Sequence, residues 1–231
     1  MPTDTKDRIL EAAARLFAER GYHATGVAGI LRVAGVKSGS LYHFFSSKED
    51  LLVAVMQHHL DMLRSQILDR AEAESVTEDP LEQVFSLLGI YRRSLLVSGC
   101  TQGSPVGSLA LEVGNGIPRV RALIDRYFAV WVARVHDWLV AAGSRLPSGL
   151  DRGILAHHVL AVAQGGIVQA RAAESLEPYD ASVAQLRSTF ELLVARSRYE
   201  RDEPRDTLVG EPTHTEEAGG GVGDEFEWRA W

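Results

Sequence analysis

A single cysteine, Cys100, stands among 231 residues. One thiol cannot form an intrachain disulfide and supplies too few sulfur ligands for a cysteine-built zinc site. No stretch approaches the roughly 18 apolar residues that a membrane helix needs, and the opening Met1 to Asp7 segment has no apolar signal core. These absences predict a cytoplasmic chain, without a membrane partner, held together by packing. Alternating strand patterns and internal repeats are also missing. There is no nucleophile elbow, phosphate loop or HExxH motif, so no enzyme, cofactor or metal site is expected. The adjacent pairs His58-His59 and His157-His158 point to different sides of a helix and do not chelate as an i, i+4 pair would.

What is present is ordinary for a globular protein: 45% hydrophobic and 24% charged residues. The 24 basic and 31 acidic residues leave a net charge of −7, which argues against simple coating of nucleic acid. Where the charge sits matters more than its total. Three arginines and nine acids fall from Arg201 onward, leaving 21 basic and 22 acidic residues in a nearly neutral body. Any nucleic-acid site is therefore a local patch. The acidic stretch 201–231 carries Pro204, Pro212 and Gly219-Gly220-Gly221 with few aliphatics, and is expected to be disordered. Its Phe226, Trp228 and Trp231 are either solvated residues or a short docking motif.

Apolar residues recur at helical spacing almost everywhere else. Ile9, Ala13, Leu16 and Phe17 mark a first helix over Thr5 to Arg20, stopped by Gly21. Val27, Ile30, Leu31 and Ala34 mark a second, ending at Gly35, and Val36 to Phe45 follows as a third after almost no linker. Ser47 with Asp50 three residues later caps a long fourth helix. Pro80, Pro105 and Pro118 each suit the first turn of a further helix. Two more cover about Leu150 to Ala173 and Asp180 to Tyr199. The reading is all-α, about nine helices.

Three helices packed through Phe17, Ile30, Val36, Leu41 and Phe45, with a turn centred on Gly35, match the helix-turn-helix arrangement. In its third helix Leu41 points inward, leaving Lys37, Ser38, Ser40, Tyr42 and His43 for solvent or DNA. Gly39 removes bulk where a helix presses on a groove, or where helices pack closely. The hydroxyls and imidazole suit phosphates and base edges.

The series Gly21-Tyr22-His23-Ala24-Thr25, Ala34-Gly35-Val36, Gly39-Ser40-Leu41-Tyr42-His43-Phe44-Phe45 and Ser47-Lys48-Glu49-Asp50-Leu51 resembles the N-terminal domain of TetR-family transcriptional regulators. The resemblance implies a DNA-binding domain over 4–64, a ligand-binding and dimerisation domain over 65–200, and the tail 201–231. It implies a homodimer, most simply a repressor, on a palindromic double-stranded DNA operator, released by a small-molecule inducer. By position, Thr25 and Tyr42 would contact backbone phosphate, Lys48 would lie beside DNA, and Lys37, Ser38, Ser40 and His43 would fall on the reading helix. Lys37-Ser38-Gly39 departs from the family's frequent Ser-Lys-Gly order, as do Phe44 and Gly26 from a frequent histidine and hydroxyl. Ser98-Gly99-Cys100 followed by Gly103, Pro105, Gly107, Leu109, Ala110 and Glu112 looks like the LmrA/YxaF-like branch, whose members often control efflux or detoxification genes.

In the body, Trp131 and Trp138 share a helical face with Phe128 and Val135. Packing explains this stripe, yet the family's ligand site occupies this position, which makes the four residues candidate walls for an apolar or aromatic compound. His158 and Gln164 are candidate polar contacts, and Cys100 a further lining candidate with a redox-sensing alternative. Ala156, Leu160, Ala163, Gly166, Ile167 and Ala170, then Val183, Leu186, Phe190, Leu193 and Val194, form stripes that either meet a twofold copy or pack within the chain.

Overall fold

The computed structural model describes residues 4–37, 39–73, 75, 79–113 and 116–202. Ser38, Phe226, Trp228 and Trp231 therefore lie outside the described residues. Nine long or short α-helices, one 3-10 turn at Gly143–Arg145 and no strand occur among the described residues, in agreement with the all-α reading. The helices are α1 (Thr5–Arg20), α2 (Val27–Ala34), α3 (Ser40–Phe44), α4, α5 (Pro80–Val97), α6 (Pro105–Val113), α7 (Pro118–Ala141), α8 (Arg152–Ala173) and α9 (Glu177–Asp202). Helix α4 is one rod in three parts, α-helical over Lys48–Met62, π-wound over Leu63–Leu68 and α-helical again over Asp69–Ala73.

Local chemistry sets most of the ends. Gly35 takes φ 64°, and the Val36 N–H reaches the Leu31 carbonyl at 3.1 Å, a Schellman closure of α2 that makes the tight turn into the third element. Ser47 accepts the Asp50 N–H at 3.0 Å and donates its own hydroxyl to the Asp50 carboxylate. Asp79 and Asp151 cap α5 and α8 through the Leu81 and Ile154 N–H groups, both at 2.9 Å.

One boundary differs from expectation. The third helix is five residues, Ser40–Phe44, where apolar spacing predicts Val36 to Phe45. Gly39 is its N-cap and Lys37 closes a turn by accepting the Ser40 N–H at 3.0 Å, because a glycine here lowers helix propensity and favours a turn. The division expected at residues 64 and 65 falls inside the continuous α4 rod, at its π segment. One apolar core runs from Ile9, Phe17 and Leu41 in the head through Leu52 and Met56 to Leu88, Trp131 and Val159 in the body.

Of the two readings of the stripes on α8 and α9, packing within the chain describes most of their residues. Ala156, Ala163, Gly166, Ile167 and Ala170 are buried within the chain, as are Leu186 and Phe190. A Cβ placed on Gly166 would meet Tyr179 Cδ2 at 3.0 Å, so the glycine serves packing between α8 and α9. The opposite apolar face is outside, with Ile154 69% and Val168 61% exposed on α8, and Leu192 70% and Tyr199 65% exposed on α9. Helix α8 is long and apolar enough by composition to cross a membrane, a consequence of carrying apolar residues on both faces.

Candidate nucleic-acid interface and its joint to the body

Leu41, fully buried, anchors the short third helix to the head, and Phe45 closes it. On the outside Tyr42 is 64% exposed, and Lys37, Gly39 and His43 are exposed beside it, with Ser40 half-buried. The outer surface thus consists of a turn followed by one and a half helical turns. Arg8 fixes the element in front of it: its guanidinium donates to the Ala34 carbonyl and, at 2.9 Å, to the Gly35 carbonyl, satisfying the free C-terminal end of α2.

Two of the candidate DNA-contacting side chains are engaged within the chain. Thr25 is only 3% exposed, and its hydroxyl faces the Gly21 carbonyl at 2.7 Å and the Leu16 carbonyl at 3.2 Å. It braces the α1–α2 loop from inside, so its hydroxyl is not an outward contact. Lys48 donates to the Tyr22 carbonyl at 2.6 Å and sits 4.1 Å from the Tyr22 ring centroid, a cation–π arrangement. Burial lowers its pKa, while the negative charge of Glu112 opposes that shift. Tyr42, Lys37, Ser40 and His43 remain as the outward set.

Glu112, at the end of α6, is the residue the sequence places in a motif without a role. Its two carboxylate oxygens accept the Tyr22 N–H at 2.8 Å and the His23 N–H at 2.7 Å. A Cβ on Gly21, which has φ +84°, would lie 2.7 Å from Glu112 Oε2. The loop between α1 and α2 is therefore clamped to the body by one acid from 90 residues away, with Lys48 closing the other side. Arg119 of α7 adds a second tie, donating to Asp50 at 3.0 Å; that bond, then the one from Ser47, lowers the Asp50 pKa.

The candidate ligand walls are not brought together as one lining. Trp131 is fully buried and its indole N–H donates to the Tyr91 hydroxyl at 3.0 Å. Burial, followed by the neighbouring Tyr127, raises the Tyr91 pKa well above the usual phenol range, so it stays a neutral hydroxyl. Trp138 donates to Glu72 at 2.9 Å, beside the Arg134–Glu72 ion pair that fastens α7 to α4. Val135 is buried and Phe128 half-buried on the same helix. His158 is exposed, because it lies on the outer face of α8. Cys100, 4% exposed, belongs to a separate cluster with Leu95, Ile167, Ala170 and Tyr179. The Gln164 Nε2 is buried without a partner among the described residues, and its Oε1 lies 2.8 Å from where a Gly107 Cβ would stand. No group of three or more metal-ligating side chains occurs among the described residues.

A three-helix head with an exposed polar third element, joined by a carboxylate clamp to an all-helical body, defines a helix-turn-helix regulator of transcription that binds DNA. Residues 9–55 match the bacterial regulatory proteins of the tetR family, and residues 80–185 match the C-terminal domain of LmrA/YxaF-like transcriptional regulators. The chain belongs to the TetR family, as a regulator and not an enzyme. It is 28% identical over 176 residues to the HTH-type transcriptional regulator LmrA of Bacillus subtilis, spanning 76% of this chain and 90% of that protein. YxaF of the same organism, also an HTH-type regulator, is 29% identical over 168 residues, 71% of this chain and 84% of that protein. The crystal structure of a TetR-family regulator from Agrobacterium tumefaciens shares the fold with a TM-score of 0.72 at 24% identity, covering 84% of this chain and 99% of that one.

Proposed function

We propose that the chain is a ligand-responsive repressor that binds a palindromic operator as a homodimer in the cytoplasm and controls efflux or detoxification genes. The observation that carries this reading is the clamp: a reading element on one side, a helical body on the other, and a polar joint in which Glu112 holds the α1–α2 loop. The repressor sign is supported by KstR2 of Mycolicibacterium smegmatis, a transcriptional repressor 43% identical over 89 residues, 37% of this chain and 40% of that protein. Tyr42, Lys37, Ser38, Ser40 and His43 read the operator, with Gly39 admitting the groove.

Self-association uses the outer faces of α8 and α9. Ile154, Ala161 and Val168 recur at seven-residue spacing on α8, and Leu192 and Tyr199 on α9, all exposed. An isologous dimer needs only one such self-complementary patch. It sets two heads against successive major grooves, about 34 to 36 Å apart. An apolar or aromatic inducer binds better to a conformation with the heads displaced; coupling of about 1 to 3 kcal/mol weakens operator binding roughly 5- to 150-fold. Trp131, with the Tyr91 hydroxyl it contacts, is the wall such a compound would meet.

Mobility-shift titration of the full chain against duplex from beside its own gene tests the reading. Saturable binding that steepens at low salt is expected. Failure to shift any genomic duplex would remove it.

A further inference from the structure

At the end of α7 opposite its Arg119 tie to the head, four arginines gather around the turn Gly143–Arg145. Arg152 donates to the Leu139 and Gly143 carbonyls at 3.1 Å and 3.0 Å, and Arg201 donates to the Ser144 carbonyl, which also accepts the Ser197 hydroxyl. Arg145 pairs with Asp79. Arg198 is exposed. Carbonyls satisfy the N–H groups of a guanidinium without cancelling its charge, and Arg152, Arg198 and Arg201 pair with no carboxylate among the described residues.

Beside this cluster a hollow of about 270 Å³ opens between α5 and α9, with Arg145, Arg187, Phe190, Val194 and Arg198 in its walls. That is smaller than most small-molecule pockets and has room for one large side chain. Arg187 covers the Phe85 ring at 3.9 Å and is held flat by both oxygens of Glu82, at 2.9 Å and 3.2 Å. Its outer face is what the hollow presents, since the side chain is still 43% exposed. A guanidinium fixed over one ring stacks a second ring on its free side. Helical spacing places this wall on a different side of α9 from Leu192 and Tyr199, clear of the face assigned to self-association.

The chain itself carries an occupant of matching chemistry. Residues 203–231 hold eight acids against two arginines and begin about one turn beyond Arg198. Within them Asp224-Glu225-Phe226-Glu227-Trp228 alternates acids with rings, so an extended backbone sets Phe226 and Trp228 on one face and Glu225 and Glu227 on the other. The geometry points to docking of this segment at the hollow, with Trp228 stacked on the outer face of Arg187 and the glutamates turned to Arg198 and the arginines of the turn. Reach agrees with this. Asp202 and Arg187 are about 22 Å apart at 1.5 Å per residue of α9, and a coil of 21 residues, 203–223, spans about 25 Å. A connection matched to its span gives an effective concentration of millimolar order, at which even a weak motif stays bound. Docked, the segment straps α9 to α5 and neutralises the basic end of the body.

The test is the indole N–H spectrum of the ¹⁵N-labelled full chain, in which four tryptophans give four signals and Trp228→Phe identifies one of them. A synthetic peptide of residues 222–231 supplies the undocked position of that signal. In the full chain the Trp228 signal should stand away from the peptide position. Arg198→Ala should weaken docking about fivefold and move the signal back toward the peptide, as should Arg187→Lys, which keeps the charge and loses the planar face. The Trp131 signal should stay in place in both variants, which reports that the fold is intact. A Trp228 signal at the peptide position in the unaltered chain overturns the proposal, and so does a displaced signal that neither variant moves. A signal that returns to the peptide position on about tenfold dilution makes a second copy the partner and overturns docking within one chain.

Discussion

Replacing Glu112 by alanine removes both acceptors from the Tyr22 and His23 N–H groups while leaving the α6 backbone unchanged. Hydrogen bonds to a charged group contribute about 1.5 to 3 kcal/mol each. Here the joint is half open to water, with the Tyr22 bond partly buried and the His23 bond exposed, so about 1 kcal/mol each is the appropriate scale. The pair then stabilises the closed joint by about 2 kcal/mol, roughly thirtyfold in its opening equilibrium. Amide hydrogen exchange resolved by residue measures this directly. The Tyr22 and His23 amides should exchange about thirtyfold faster in Glu112→Ala, while those of Leu16 and Phe17 in α1 stay as they were. Unchanged exchange at Tyr22 and His23 would show that the carboxylate holds nothing. Equal acceleration throughout α1 would show a general loss of stability in place of a joint.

Other expectations follow from the same geometry. Gly21→Ala forces a Cβ into φ +84° and to 2.7 Å from Glu112, and should lower stability by about 1 to 2 kcal/mol; in a Glu112→Ala background the loss should shrink, which denaturant melts of the double-mutant cycle would check. Lys37→Ala should reduce the slope of log affinity against log salt by about 1, whereas Tyr42→Ala should weaken operator binding with little change of slope. Trp131→Ala should destabilise the body by about 3 to 5 kcal/mol through the cavity it leaves, and Trp131→Phe less, with altered inducer response in the milder variant. Burial, and then the charge of His58, lower the His59 pKa to about 4, so the unfolded chain binds an extra proton between there and the usual histidine value near 6.5. Stability should therefore fall as pH drops through that window, by about 3 kcal/mol, and His59→Gln should flatten the profile.

Helix positions are legible where a local cause sets them. Pro80, Pro105 and Pro118 each begin a helix, Gly35 ends one in a left-handed turn, and Ser47 caps the next, all features confined to a few neighbouring residues. The third helix is shorter than its pattern because the apolar spacing extends to Val36, while Gly39 interrupts the backbone before Ser40. Periodicity also fails on α8, whose two faces are both apolar: composition cannot tell that Ala163 and Ile167 pack inward while Ile154 and Val168 face outward. That choice is made by the tertiary partners, α7 and α9. At the joint, position alone makes Thr25 and Lys48 outward contacts, but a threonine hydroxyl and a lysine amine also satisfy carbonyls of a nearby loop, as they do here. Glu112 carries no local sign of its role, since the N–H groups it serves are those of Tyr22 and His23, about ninety positions earlier.

A twofold reader of DNA is tested most directly by the stoichiometry of its complex with a duplex selected from genomic DNA, measured by sedimentation at several salt concentrations. An even number of chains should sit on each palindromic site, two per pair of half-sites, with affinity that falls as salt rises. A single chain per site, or indifference to every duplex offered, would contradict this.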